Sequence, residues 1–395
     1  MESGEQTARD LLTELMEAQD VSQRQLAMAA HVSPSHVSRV RHRQKEPSQQ
    51  LLRALDRALG AGGVLVAAWE AEWEKSNVDT TRRGFVALAA AAIPAATPAL
   101  RPSPATVAHL RRVLLANKRS ACLTQPSRMI PTITQHVEAL RRLRADAAPD
   151  VARDLLDLAA HNASLLSSLH QDNLNGPQAW AWTDRAAEWA QSAGNWTLSA
   201  HMCNRRASIA WWQGDGRRAL DCAAAVEHAP WPLPAALRAD AAQQQARAYS
   251  ILGDEVSCRR WIDEWARRAQ QGVGEPLPEF IAMSTYSASY VDQLTAFCLA
   301  ALGRGRAAVD LLDRDTAGQH ARWGHLMLAR TAAAQAVAEE PERAAATALA
   351  ALEPAQLVGS GRTVAELRGL HRQLATRWPD ASGVALLGEQ LAVPA

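Results

Sequence analysis

A dense cluster of cationic side chains lies between residues 39 and 45. Four cations fall within these seven residues, with a histidine among them: Arg39, Arg41, His42, Arg43 and Lys45. Such a cluster can neutralise the phosphates of a nucleic acid backbone. Cations are also favoured at helix C-termini by the helix dipole, so a solvated helix end is the simpler interpretation. The secondary structure around the cluster indicates whether it binds phosphates or is a solvated helix end.

Two short helices joined by a tight turn are predicted for residues 21–48. Ser22 and Gln25 have the spacing of a capping box, which begins the first helix. Ser33 and Pro34 begin the second, because serine caps well and proline is tolerated at the first helical position. This order is typical of a helix-turn-helix, whose second helix enters the DNA major groove. The cationic cluster then lies at the end of that helix, which favours phosphate contact.

The second helix divides into an inner and an outer face. Val37 and Val40 are three residues apart and are predicted to face the core. Ser35, His36 and Arg39 are then turned outward. Arg39 is the strongest candidate for base recognition, because a guanidinium can donate to O6 and N7 of guanine together. Ser35 and His36 are weaker candidates that could contact a base or a phosphate.

Helices on both sides complete the predicted core of this domain. One spans residues 7–19 and the other spans residues 48–59, and in both the large apolar residues recur at helical spacing. Gly60 ends the second of these helices. The residues expected to face inward are Leu12, Leu15, Met16, Leu51, Leu52, Leu55 and Leu59, with Val32 anchoring the turn.

The segment VSQRQLAMAAHVSPSHVSRV, followed by EPS, resembles the XRE-type family of phage-repressor-like regulators. The resemblance covers residues 7–60, and residues 61–73 look like the fifth helix of an actinomycete-type subgroup. It implies an all-α, five-helix helix-turn-helix domain in which Gln23 braces the phosphate backbone. It also implies that the outward residues of 33–39 reach base edges or phosphates. The expected DNA-binding residues are Gln23, Ser33, Ser35, His36, Arg39, Arg41, Arg43 and Lys45.

Three positions depart from the pattern of this family. His31 stands where the turn usually has glycine, and Arg43 stands where a glycine usually follows the recognition helix. Pro34 occupies a position that carries a base-reading glutamine in some phage repressors. The resemblance to this family therefore predicts how the domain docks on DNA better than it predicts which bases the domain prefers.

Composition describes the whole chain as a helical protein with more than one domain. Its 395 residues leave room for two or three domains, 48% are hydrophobic, and the formal net charge is +1. The basic character is thus confined to one element. Five scattered cysteines without CxxC spacing indicate buried thiols in a reducing compartment. The sequence contains no HExxH, Walker A or GxSxG motif, so no enzyme, metal site or cofactor is expected.

Residues 76–105 are rich in alanine and proline and are predicted to link two domains. The RRGF stretch at residues 82–85 is similar to a twin-arginine export signal, which would imply an exported or membrane-anchored protein. Export signals begin near the N-terminus, whereas this stretch follows a DNA-binding domain at residues 1–75. Its apolar part is also too short to span a bilayer. A linker with one short helix at residues 83–92, in a cytoplasmic protein, is therefore favoured.

A loose repeat of helix pairs is visible in residues 106–395. Two copies align at Gly214-Asp215 and Gly253-Asp254, 39 residues apart, each with an amphipathic helix after the turn. Asp172 lies about one repeat upstream. The pattern resembles degenerate TPR repeats, in which helix pairs stack into an α-solenoid with a concave groove. A TPR-like domain for dimerisation or effector sensing is predicted here.

Candidate effector contacts lie on the first helices of the predicted pairs, which line the inner face of such solenoids. An asparagine there can clamp a peptide backbone, because its amide both donates and accepts. A solvated or locally bonded asparagine is the simpler alternative. The 13 tryptophans are expected mainly to pack between repeats, with ligand stacking as the alternative. The candidate groove residues are Asn162, Asn204, Trp211, Gln243, Arg247 and Asp292.

Together these features predict a cytoplasmic transcription regulator that reads a double-stranded DNA operator as a homodimer. The helical-repeat domain would mediate dimerisation and bind a peptide or small-molecule effector, with no membrane as partner. One alternative is a TPR-like interaction scaffold in which DNA binding is secondary. An exported or membrane-anchored binding protein is the third hypothesis. The operator, the effector and the sign of regulation stay open.

Overall fold

The computed structural model describes eleven stretches of the chain and is all-helical within them. These are residues 8–19, 21–30, 32–33, 37–38, 40, 49–59, 61, 101–121, 124–271, 288–314 and 324–392. The chain divides into two compact units, Met1–Ala87 and Leu88–Ala395. The predicted fifth helix at residues 61–73 and the predicted linker at 76–105 lie largely outside the described residues.

The described part of the N-terminal unit contains helices α1 (Ala8–Ala18), α2 (Gln23–Ala29) and α3 (Gln49–Ala58). Its core uses the predicted apolar positions, and Leu15 packs partly buried against them. The side-chain amide of Gln19 donates to the carbonyl of Leu59 at 2.6 Å, which fastens the end of α1 to the end of α3. The buried core residues are Leu12, Met16, Leu26, Ala27, Ala30, Val37, Val40, Leu51, Leu52, Leu55 and Leu59.

The first described helices of the C-terminal unit are α4 (Pro104–Ser120) and α5 (Pro126–Ala145). Both pack on the next helix in the chain, at residues 149–172. Beyond them the described helices form pairs whose two members contact each other. The pairs are α6 (Pro149–Asp172) with α7 (Gly176–Ser192), α8 (Trp196–Trp212) with α9 (Gly216–Glu227), α10 (Ala235–Leu252) with α11 (Glu255–Gln271), α12 (Ala288–Ala301) with α13 (Gly305–Leu312), α14 (Gly324–Val337) with α15 (Pro341–Leu357), and α16 (Gly361–Arg377) with α17 (Val384–Ala392).

The first helices of these pairs form a closed ring. Helices α6, α8, α10, α12, α14 and α16 each contact the next in this order, and α16 contacts α6. An ion pair of 2.9 Å between Arg362 of α16 and Asp172 of α6 lies at the closure. Gly361 also allows close approach there, because a Cβ at this position would lie 2.9 Å from the carbonyl oxygen of Asp172.

A residue in the left-handed conformation, followed by a helix-capping residue, forms a recurrent turn in this unit. The left-handed residue is usually glycine, as at Gly214 and Gly253, with φ of 81° and 76°. The aspartate that follows each glycine accepts from the amide three residues later. The two turns predicted from the sequence are thus confirmed. About one repeat upstream, where the sequence places Asp172, the corresponding turn lies at Leu174-Asn175, and Asp172 itself lies at the ring closure.

Small residues allow the helices to approach closely. The core around α15 contains five fully buried alanines, and the end of α14 comes so near Gly305 that a Cβ there would lie 2.3 Å from the amide nitrogen of Ala338. The alanines in question are Ala344, Ala345, Ala348, Ala351 and Ala355. Of the helices described, none combines the length and apolar character needed to cross a membrane.

Candidate functional site

The first helix of the predicted DNA-binding motif begins with a complete capping box. The Ser22 amide donates to Oε1 of Gln25 at 2.8 Å, and the Gln25 amide donates to Oγ of Ser22 at 3.3 Å. Two amides that would otherwise lack a helical partner are therefore satisfied. Gln23, predicted to brace the phosphate backbone, is the first residue of α2 and is half-buried.

The turn after α2 is anchored in the core, as the sequence predicts. The Val32 amide donates to the carbonyl of Ala27 at 2.8 Å, and the Val32 side chain packs partly buried against the core. Val37 and Val40 are fully buried. The predicted inner face of the second helix is therefore confirmed at these two positions.

The predicted DNA contacts can be located only in part. Ser33 is exposed at the turn, next to the start of the second helix. The side chains of Ser35, His36, Arg39, Arg41, Arg43 and Lys45 lie outside the described residues, so their roles stay predictions.

A family model described as a helix-turn-helix domain matches residues 9–69 of the chain. Residues 9–69 therefore form a helix-turn-helix domain. The match includes both capping-box residues, the buried valines and the cationic cluster, and it supports an XRE-like DNA-binding domain at this end of the chain. No curated protein that was compared matches the chain significantly.

The two asparagines predicted to line an open groove are buried instead. Asn162 on α6 is 3% exposed, and its Nδ2 donates to the carbonyl of Leu158 in the same helix at 2.8 Å. Asn204 on α8 is 1% exposed, and its Nδ2 donates to the carbonyl of Leu237 on α10 at 3.1 Å. The expected open position is thus corrected, because the first helices pack too tightly to leave these amides in solvent.

The other groove candidates differ in their environments. Gln243 is buried on α10, whereas Asp292 on α12 is exposed. Trp211 and Arg247 lie together, with the guanidinium carbon of Arg247 3.7 Å from the centre of the indole ring. Arg330 of α14 lies 5.1 Å from the centre of the same ring. The predicted candidates Trp211 and Arg247 therefore meet where three first helices converge.

A set of charged residues, here called the lumen belt, lies on the first helices that form the ring. Its members are Arg205, Arg247, Arg330, Arg362, Asp172, Asp240 and Glu366, contributed by α6, α8, α10, α14 and α16. Arg362 pairs with Asp172, and Arg330 donates to both carboxylate oxygens of Glu366 at 3.1 and 3.0 Å. Arg362 and Glu366 are one helical turn apart on α16, which joins the two pairs.

Burial dominates the electrostatics of the lumen belt. It lowers the pKa of Arg205 to about 10, and repulsion from Arg362 lowers it further, while Asp172 and Asp240 oppose the shift. Burial also raises the pKa of Asp240, against hydrogen bonds from Gln244 and Asn204 and the attraction of Arg247 and Arg205. For Arg205 and Asp240 alike, the cost of burying the charge thus exceeds the stabilisation of that charge by its neighbours.

Sequence reasoning missed most of the lumen belt. Arg205 directly follows Asn204 on a helix that was predicted to line the inner face, so it could have been proposed. Arg330, Arg362 and Glu366 could not, because the repeat is too weak in that part of the sequence to assign an inner face.

Tryptophans mainly fill space between helices, in agreement with the simpler prediction. Trp265 is fully buried, and Trp182 and Trp189 pack partly buried against the core of α6 to α10. Trp180 instead lies near the outer α9, where Arg218 covers its ring at 3.7 Å. Within the described stretches, no group of three or more histidines, cysteines and acidic residues is arranged to hold a metal ion.

Proposed function

We propose that this protein is a sequence-specific transcription regulator that binds an operator through residues 9–69. The observation that carries the proposal is the helix-turn-helix match, together with the buried Val37 and Val40. In this proposal the second helix enters the major groove and Ser35, His36 and Arg39 contact the bases or the phosphates. Arg41, Arg43 and Lys45 then bind and neutralise backbone phosphates.

We further propose that the C-terminal unit is a TPR-like domain that mediates homodimerisation and binds an effector. Operators read by this motif commonly have twofold symmetry, so two heads are needed at once. An effector that binds the ring would change operator affinity if it binds the DNA-bound and free states unequally. In this proposal the protein is a cytoplasmic regulator without catalytic activity.

The experiment that tests DNA binding is selection of operator sequences by the intact protein, followed by titration of the selected duplex over a range of salt concentrations. We expect affinity to fall steeply with added salt, because several phosphates are neutralised. Arg39→Ala should lower the ratio of specific to nonspecific affinity about 10-fold or more, as expected for loss of one bidentate base contact.

The matched control for this experiment is Arg259→Ala. Arg259 is exposed on α11, where it pairs with Glu255, outside the proposed DNA-binding domain. This variant should bind the operator like the natural protein. Selection that yields no preferred sequence, or an unchanged specificity ratio in Arg39→Ala, would contradict the proposed role.

A further inference from the structure

Two arginine–tryptophan pairs in the C-terminal unit have the same stacking distance but different surroundings. Arg218 lies 3.7 Å from the centre of the Trp180 ring, and Arg247 lies 3.7 Å from the centre of the Trp211 ring. In the first pair, Nε1 of Trp180 donates to Gln213 at 3.0 Å. In the second pair, Nε1 of Trp211 is buried and has no hydrogen-bond partner. The inner pair therefore carries a donor that the outer pair has satisfied.

The surroundings of the Trp211 donor are positively charged. Arg330 adds a second guanidinium 5.1 Å from the ring centre, so two cations from α10 and α14 lie beside an indole from α8. The lumen belt as defined contains four arginines and three carboxylates. A buried donor next to an excess of positive charge matches an oxygen acceptor that carries negative charge.

Further unpartnered donors lie on the neighbouring helices. Nε of Arg205 on α8 and Nε2 of Gln171 on α6 are buried without a hydrogen-bond partner, although Nη2 of Arg205 donates to Oε1 of Gln171 at 3.0 Å. Oδ1 of Asn204 is an unpartnered acceptor in the same region. The unpartnered donors of Trp211, Arg205 and Gln171 thus lie on two first helices that contact each other, α6 and α8. Solvent still reaches the belt, since the side chains of Arg330 and Glu366 are 11% and 24% exposed.

We propose that the inside of the ring binds a small ligand bearing carboxylate or phosphate groups. An oxyanion of the ligand accepts from Nε1 of Trp211 and is held by the guanidiniums of Arg247 and Arg330. Arg205 and Gln171 bind a second acceptor group. The negative charge of the ligand balances the excess of one cation in the lumen belt. The inference deepens the effector-binding part of the proposed function and rests on it.

The test is isothermal titration of the full-length protein, without DNA, with two probes. Inorganic phosphate and citrate are titrated at one pH, with sodium chloride of equal ionic strength as the reference. We expect saturable binding of at least one probe. Binding of phosphate alone identifies a phosphate ligand, and binding of citrate alone identifies a carboxylate ligand. If neither probe differs from sodium chloride, the proposal is overturned.

Variants locate the site. Trp211→Phe keeps an aromatic ring but removes the donor, so the dissociation constant of the bound probe should rise about 10-fold or more. Arg247→Gln should have a similar effect and provides a second route if the first variant folds poorly. Trp180→Phe is the matched control and should bind like the natural protein. Unchanged binding in both inner variants would contradict the site.

The two proposals fail separately. Because the titration contains no DNA, a protein that reads an operator but ignores both probes contradicts only the ligand site. A protein that binds a probe but selects no operator contradicts only the DNA-binding proposal.

Discussion

Single residues on the inner face of the C-terminal unit are polar but largely removed from water. Asn162 and Asn204 each satisfy a donor through a backbone carbonyl, and each has an oxygen without a partner. A buried polar group left unpaired costs about 1–3 kcal/mol. Such groups are therefore more informative about binding than the exposed residues of the outer face.

Close packing of helices requires glycine at position 305 but not at position 369. A Cβ on Gly305 would lie 2.3 Å from the backbone of Val337 and Ala338, whereas a Cβ on Gly369 would meet nothing within 4 Å. Gly305→Ala should lower the free energy of unfolding by about 1–3 kcal/mol, because the helices must separate. Gly369→Ala should raise it by about 0.5–1 kcal/mol, because glycine is a poor residue inside a helix.

Urea denaturation followed by circular dichroism measures both glycine variants. Since the two substitutions add the same methyl group, opposite signs of the two effects indicate that the methyl group is crowded at Gly305 and not at Gly369. Equal effects of the two variants would show that the contact at Gly305 is looser than described.

Two turns between helices have a residue with a side chain in the left-handed conformation, which favours glycine. Leu174 and Glu339 have φ of 59° and 64°, whereas other described turns of this unit, such as those at Gly214 and Gly253, have glycine in that place. A residue with a Cβ pays about 1–2 kcal/mol for the left-handed conformation. The structure holds these two turns in shape through the packing of the helices on either side.

Glu339→Gly should therefore raise the free energy of unfolding by about 1 kcal/mol. Glu339 also pairs with Arg377, but both side chains are more than half exposed, so loss of this pair costs little. Gly214→Ala, at φ of 81°, is the reciprocal change and should lower stability by a similar amount. Thermal unfolding of the two variants tests the prediction, which is wrong if both shift the midpoint in the same direction.

The C-terminal unit as a whole buries several histidines in their neutral form. Burial lowers the pKa of His201 to about 3 and lowers the pKa of His161 well below its usual value. The pKa of His136 is also lowered by burial. The unfolded chain therefore binds protons more readily than the folded chain at mildly acidic pH. Burial raises the pKa of Asp157, which opposes this effect at lower pH.

Stability of this unit should consequently fall as pH drops below about 6.5, the ordinary histidine pKa. Each buried neutral histidine contributes a slope of about 1.4 kcal/mol per pH unit until its folded pKa is reached. Urea midpoints measured between pH 7 and pH 5 test the slope. His201→Gln should reduce it, whereas His109→Gln, at an exposed position on α4, should leave it unchanged. A flat profile in the natural protein would contradict the prediction.

The sequence predicts best what depends on local spacing. Ser22 with Gln25, and Val37 with Val40, are near neighbours whose roles follow from helical periodicity, and their predicted positions are confirmed. The ring could not be predicted, because Arg362 and Asp172 are far apart in the sequence and meet only after the six described helix pairs have brought the chain back to α6. Leu174 carries no turn signal, so the sequence does not locate the turn at Leu174-Asn175.

The circle of first helices has a consequence for how this architecture can change. In an open array each pair contacts only its neighbours, so a pair can be added or lost at an end. Here the angles between successive pairs must sum to a full revolution for α16 to reach α6. Loss of one pair would leave α16 out of reach of α6 unless each remaining junction turned more steeply, so closure of the ring constrains the loss of a pair.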